Sequence, residues 1–196
     1  MTRVIGITGG IASGKSTVTA YLREKGYTVI DADAVVHELQ AKGGKLYQIL
    51  LADFGPTILD QEGHIDRQGL SQLVFSDPSL RKCLSSLQDA IIRQELLERR
   101  DRLRANKDII FMDIPLLYEA GYEQEVDEVW LVYVERETQL KRLMRRNGYS
   151  FIEAQQRLQA QFSLEEKKKQ TNCLIDNGGS IKDTFTQVEA LLQERR

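Results

Sequence analysis

A chain of 196 residues has room for one well-buried core with an inserted subdomain, and not for two full independent domains. With 41% hydrophobic and 29% charged residues it has neither a disordered nor a membrane bias, and a net charge of −2 leaves no chain-wide basic field of the kind that holds nucleic acid. The two cysteines, Cys83 and Cys173, lie far apart without metal-ligand spacing and read as small buried hydrophobes.

The apolar, β-branched run Arg3 to Thr8 reads as a strand, and Gly9-Gly10-Ile11-Ala12-Ser13-Gly14-Lys15-Ser16-Thr17 follows it directly. That string is a full match to G-x-x-x-x-G-K-[ST], and Ser16 to Glu24 continue it as a helix. Its glycines permit close approach to an anion, and the first amides of the helix face the same point. Gly10 to Thr17 are therefore expected to hold the phosphates of ATP, with Lys15 reaching the β- and γ-phosphates and the Ser16 hydroxyl ligating Mg²⁺. The string Asn106-Lys107-Asp108-Ile109 has the wrong order for guanine recognition and precedes its strand, which argues against a GTPase.

The second strand, Tyr27 to Asp31, ends in Asp31-Ala32-Asp33, two carboxylates at the edge where open α/β sheets place ligands. Either could accept the proton of an acceptor hydroxyl during phosphoryl transfer, or could simply cap the next helix. From Asp33 to Lys107 the pattern is helical, and Asp77-Pro78 starts a helix whose Leu80, Leu84, Leu87, Ile91 and Leu97 run toward Arg104. At about 1.5 Å per residue such a helix spans ~40 Å, more than a small sheet covers, so part of it should support a separate lobe.

Asp108 to Asp113 and Glu128 to Val134 read as strands three and four. Asp113 is either a water-mediated Mg²⁺ ligand or a strand-end cap. A basic helix follows, with Arg142 and Arg146 one turn apart, and Ser150-x-x-Glu153 and Ser163-x-x-Glu166 are capping boxes that start two more helices. The run Lys167-Lys168-Lys169 reads as a solvated face, and His37 and His64 as ordinary surface residues. Cys173 to Asp176 is the fifth strand, and Ser180 starts a C-terminal helix.

The expected class is thus α/β: a P-loop NTPase-type parallel five-stranded sheet flanked by helices, with an inserted helical substrate lobe and a helical lid. The expected divisions are a core of about 1–32, 108–136 and 172–196, an insertion at about 33–107 and a lid at about 137–171. With no 18-residue apolar stretch, the expectation is a cytoplasmic protein without a membrane or nucleic-acid partner, monomeric or weakly self-associating.

Along nearly its whole length the chain also resembles the dephospho-coenzyme A kinase family. The resemblance is carried by Thr8 to Thr17, Asp31-Ala32-Asp33, Gly63-His64-Ile65-Asp66-Arg67 with Val74-Phe75, Pro115-Leu116-Leu117-Tyr118-Glu119, and Ile175-Asp176-Asn177-Gly178-Gly179. It implies ATP-dependent phosphorylation of the ribose 3′-hydroxyl of dephospho-coenzyme A. It further implies Asp33 as the acceptor-side base, Asp31 nearer the loop and Mg²⁺, Arg142 as a charge-neutralising lid residue, Asn177 beside adenine, and Arg67, Leu116 and Leu117 near the acceptor. Two departures are Gln88-Asp89, where the family carries His-Pro, and Thr171-Asn172, where it carries Ala-Asp.

Overall fold

The computed structural model describes residues 2–66, 69–70, 78–171 and 173–195. Arg67, Val74-Phe75, Asp77, Asn172 and the side chains of Leu80 and Cys83, all named from the sequence, lie outside the described residues. Two compact units are formed, Met1–Ile30 with Leu103–Arg196, and Asp31–Arg102.

The first unit is built on a sheet of order β2-β3-β1-β4-β5. Its strands are β1 (Arg3–Gly9), β2 (Thr28–Asp31), β3 (Ile109–Asp113), β4 (Glu128–Tyr133) and β5 (Cys173–Asp176), each within a residue of the run that the sequence marks. β1 lies parallel between β3 and β4, with Ile7 opposite Asp113 and Gly9 opposite Val132. Consecutive apolar residues were the sign of strands covered on both faces, and β3 is buried throughout.

Because successive side chains of a strand point to opposite faces, alternate residues of β4 divide between two cores. Trp130 and Val132 join Ile5, Ile7 and Phe111 under α1 (Lys15–Glu24) and the C-terminal helix through Val18, Leu22, Val188 and Leu192. Leu131 and Tyr133 pack instead with Leu164, in a short helix between β4 and β5.

The second unit holds α2 (Ala32–Gln40), α3 (Lys45–Phe54) and a turn closed by a single antiparallel bridge, Leu59 to Ile65. The 27-residue α4 (Pro78–Arg104) begins at the proline, as the sequence signals. Arg99 on α4 ties back to Glu38 on α2 at 2.6 Å and to Glu95 at 2.7 Å.

Between β4 and β5 run α5 (Arg136–Asn147), α6 (Phe151–Gln159) and α7 (Leu164–Lys168), and α8 (Ile181–Gln193) closes the chain. Both predicted capping boxes form, Ser150 with Glu153 and Ser163 with Glu166. A third, Ser180 with Asp183, starts α8. No helix among the described residues is long and apolar enough to cross a membrane.

At the start of β4, Glu128 accepts hydrogen bonds from Arg195 Nε (2.7 Å), Trp130 Nε1 (2.9 Å) and Cys173 Sγ (2.6 Å). Burial and the Glu128 carboxylate push the Cys173 thiol up to about 11, so this cysteine is an inert packing group. For Glu128 itself burial disfavours the charge, but Arg195 and the other donors outweigh it and hold the carboxyl below its ordinary 4.5. A depressed carboxylate stabilises the fold above its unfolded value, and that stability is lost as pH falls through the folded value. Glu128→Gln should therefore cost ~2 kcal/mol at about neutral pH in urea unfolding, the gap to the parent closing as pH drops below ~4.

Candidate active site

β1 delivers the chain to a loop whose geometry depends on two backbone positions. Gly14, the N-cap of α1, has φ +89°, and Ala12 has φ +61°, the one positive φ of a non-glycine among the described residues. Both lie in the left-handed region, which glycine enters freely and alanine only at a cost. Ser13 N–H donates to the Gly10 carbonyl at 3.1 Å, which closes the turn. The first amides of α1 have no partner within the helix, and these, with the positive end of the helix dipole, form an anion site.

Carbonyls of this loop are taken up by side chains from three directions. Gln139 Nε2, on α5, donates to Ile11 O at 2.7 Å. Asn177 Nδ2, just past β5, donates to Ser13 O at 2.8 Å, while its Oδ1 accepts from Thr184 Oγ1 at 2.9 Å and its N–H donates to Tyr133 O at 2.8 Å. Lys167 Nζ, on α7, approaches Gly9 O at 3.4 Å. Ile11 and Ala12 also pack against an apolar cluster of Leu143, Ala154 and Leu158 from α5 and α6.

Lys15, the first residue of α1, pairs with Asp113 at the end of β3. Both side chains are largely shielded, and Asp113 stands where a strand-end carboxylate was expected. Arg142 NH2 donates to Asn177 O at 2.8 Å. Its NH1 lies 3.8 Å from where a Cβ on Gly14 would be, so the guanidinium borders the loop. Arg146, one turn on, is exposed and bonds only its neighbour Asn147 among the contacts described.

Several expectations change in detail. Asn177 is 6% exposed and its side-chain amide is engaged at both ends, so its side chain serves the loop and is not open to a base. Leu117 is fully buried, close enough to β1 that a Cβ on Gly6 would meet its Cδ1 at 2.5 Å; Leu116, 42% exposed, alone of the pair presents a surface. The lysine run is not a uniform solvated face. Lys167 is fully buried with an ion pair to Glu119 at 2.9 Å, because the five-residue α7 turns that side inward with Leu164. Gln139 escaped the sequence reading altogether, since a glutamine inside a basic helix carries no signal until the loop is folded against it.

In the other unit, Asp31 is the N-cap of α2 and accepts from Ala34 N–H at 3.1 Å. Asp33 lies in the first turn of that helix and is exposed. No group of three or more His, Cys, Asp or Glu among the described residues is arranged to hold a metal by itself.

Residues 3–183 match the sequence profile of a family described as dephospho-CoA kinase. A protein of that name from Streptococcus mutans serotype c is 56% identical over 193 residues, covering 98% of each chain. Among solved structures, a dephospho-CoA kinase from Campylobacter jejuni superposes with a TM-score of 0.73 at 32% identity, over 99% of this chain and 97% of that one. A shikimate kinase from Acinetobacter baumannii, at 17% identity, shares the fold, with a TM-score of 0.52 over 100% of this chain and 96% of that one.

Gly14→Ala would force a side chain into the left-handed region and against Asn177 Nδ2. ATP affinity measured by calorimetry should fall roughly tenfold or more while the far-ultraviolet circular dichroism remains that of the parent.

Proposed function

The chain belongs to the dephospho-CoA kinase family, and from that premise we propose how its residues divide the work of the family's reaction. The reaction transfers the terminal phosphoryl group of ATP to dephospho-CoA and yields CoA and ADP, the last step of CoA biosynthesis. The observation that carries this reading is the family match through residues 3–183, which includes the whole phosphate loop.

We assign the phosphates of ATP to the loop of Gly10 to Thr17, through the first amides of α1, and to Lys15. Support comes from the left-handed Gly14 and from the position of Lys15 as the first residue of α1, where dipole and ammonium act on the same anion. Arg142 is assigned to the transferred group, since its guanidinium borders Gly14 and a planar cation neutralises charge spread over phosphoryl oxygens. Asp33 is assigned the acceptor hydroxyl: as the 3′-oxygen bonds to the γ-phosphorus and the bond to the bridging oxygen breaks, the electron pair leaves with ADP and the hydroxyl proton passes to Asp33. An ordinary carboxylate is adequate here, because the loose transition state does not require the alcohol to be ionised first.

The oxygen donors present suit Mg²⁺, which takes one or two protein oxygens and completes its shell with phosphates and water. When bound, Mg²⁺ neutralises charge on the β- and γ-phosphates; we assign the exposed Ser16 hydroxyl to it, with Asp113 or Asp31 as the further oxygen. The acceptor lobe is assigned to residues 33–107, with Arg67 and Gln88-Asp89 in it, and the lid to 137–171. Leu116 is assigned to the apolar part of the acceptor.

A coupled ADP-release assay tests the reading: turnover is expected with dephospho-CoA and not with shikimate or nucleoside monophosphates, and the reverse pattern would overturn it. In the same assay, Asp33→Asn should lower kcat by roughly 10² or more with KM for ATP nearly unchanged. Lys15→Ala should instead impair ATP affinity and transfer together.

A further inference from the structure

Gln139 of α5 is 7% exposed, and its side chain meets the phosphate loop at two points. Nε2 donates to the Ile11 carbonyl at 2.7 Å, and it lies 2.5 Å from where a Cβ on Gly10 would be, beside Leu164. No other donor reaches Ile11 O among the described residues. Burying an amide costs free energy unless it is bonded, and a methionine would fill the space beside Leu164 without that cost.

The peptide that Gln139 holds lies beyond the last paired residue of β1 and leads into Ala12, the strained residue of the loop. A left-handed φ of +61° at a residue with a Cβ persists only where its surroundings over-determine it. Two contacts do so here, the bond to Ile11 O and the packing of Ile11 and Ala12 on Leu143, Ala154 and Leu158, and both come from α5 and α6. The sign of φ alternates along the loop, negative at Ile11 and Ser13 and positive at Ala12 and Gly14. Such alternation turns successive N–H groups to one side and makes an anion-binding concavity. In a planar trans peptide the Ile11 oxygen and the Ala12 hydrogen point opposite ways, so an oxygen held on Gln139 leaves the Ala12 N–H turned into that concavity. Among the described residues that N–H has no hydrogen-bond partner.

Resting on the reading of this loop as the ATP phosphate site, we propose that Gln139 is a positioning residue: it holds the Ile11–Ala12 peptide in the orientation that offers the Ala12 N–H to a nucleotide phosphate. Arg142 stands three residues further along the same helix and borders Gly14, so α5 both shapes the loop and brings a cation to it.

The test is Gln139→Met, which keeps the length and packing of the side chain and removes the donor. Calorimetry with ADP, which lacks the group assigned to Arg142, should show affinity lowered roughly tenfold or more, while KM for dephospho-CoA at saturating ATP stays near that of the parent. In the nucleotide-free protein, ¹⁵N relaxation dispersion at the Ala12 amide should appear in the variant and not in the parent, as the peptide begins to turn over. A glutamine that merely seats α5 predicts a lower kcat through a displaced Arg142 with unchanged ADP affinity, and that result overturns the proposal. Equal dispersion in the two proteins overturns it as well. Should Gln139→Met not fold, Gln139→Glu is read in its place, since it keeps the shape and loses only the N–H donor; its dispersion is measured without nucleotide, where its charge meets no phosphate. If the parent bound no ADP, the phosphate-site reading would fail, while the dispersion at Ala12 would still decide the hold on the peptide.

Discussion

A loop that turns its amides toward an anion must find other partners for its carbonyls, because a buried backbone oxygen left unpaired is costly. Here that requirement is met by side chains. Ile11 O goes to Gln139, Ser13 O to Asn177 and Gly9 O to Lys167, three positions far along the chain from the loop. The loop's shape is therefore held from outside, and the helices between β4 and β5 act on the site through hydrogen bonds to its backbone.

Two ammonium groups stand near this loop, and each has a carboxylate of its own. Lys15 faces Asp113 and Lys167 faces Glu119, the two lysines repelling each other enough to add to the lowering of the Lys167 pKa. The arrangement separates duties: the largely shielded Lys15 sits at the start of α1, whereas the fully buried Lys167 holds backbone. Phosphoryl transfer asks little covalent chemistry of the protein and much positioning, so groups that aim the backbone matter as much as groups that touch the substrate. At the N-terminal edge of the sheet, the Glu128–Arg195 pair joins β4 to the end of the chain and has no part in this geometry.

Some of this was readable from residue order alone. The phosphate loop, the five strands, the long helix from Pro78, the capping boxes at Ser150 and Ser163 and the helix start at Ser180 depend on neighbours within a few positions, and local chemistry decides them. Asp31 was open between a ligand and a cap, and in the structure it caps α2. Leu116 and Leu117, adjacent and alike in sequence, divide into an exposed and a buried residue.

By itself the sequence determined that a parallel sheet opens with an anion-binding loop, since strand, glycines and helix lie within one continuous stretch and need no distant partner. Only the tertiary structure decided which side chains hold that loop. Gln139, Asn177 and Lys167 are 128, 164 and 158 residues from the carbonyls they bind. Whether a lysine in a run of three is solvated or buried depends on which way a five-residue helix faces, and that is settled by packing against β4, a contact that the local pattern of charges does not encode.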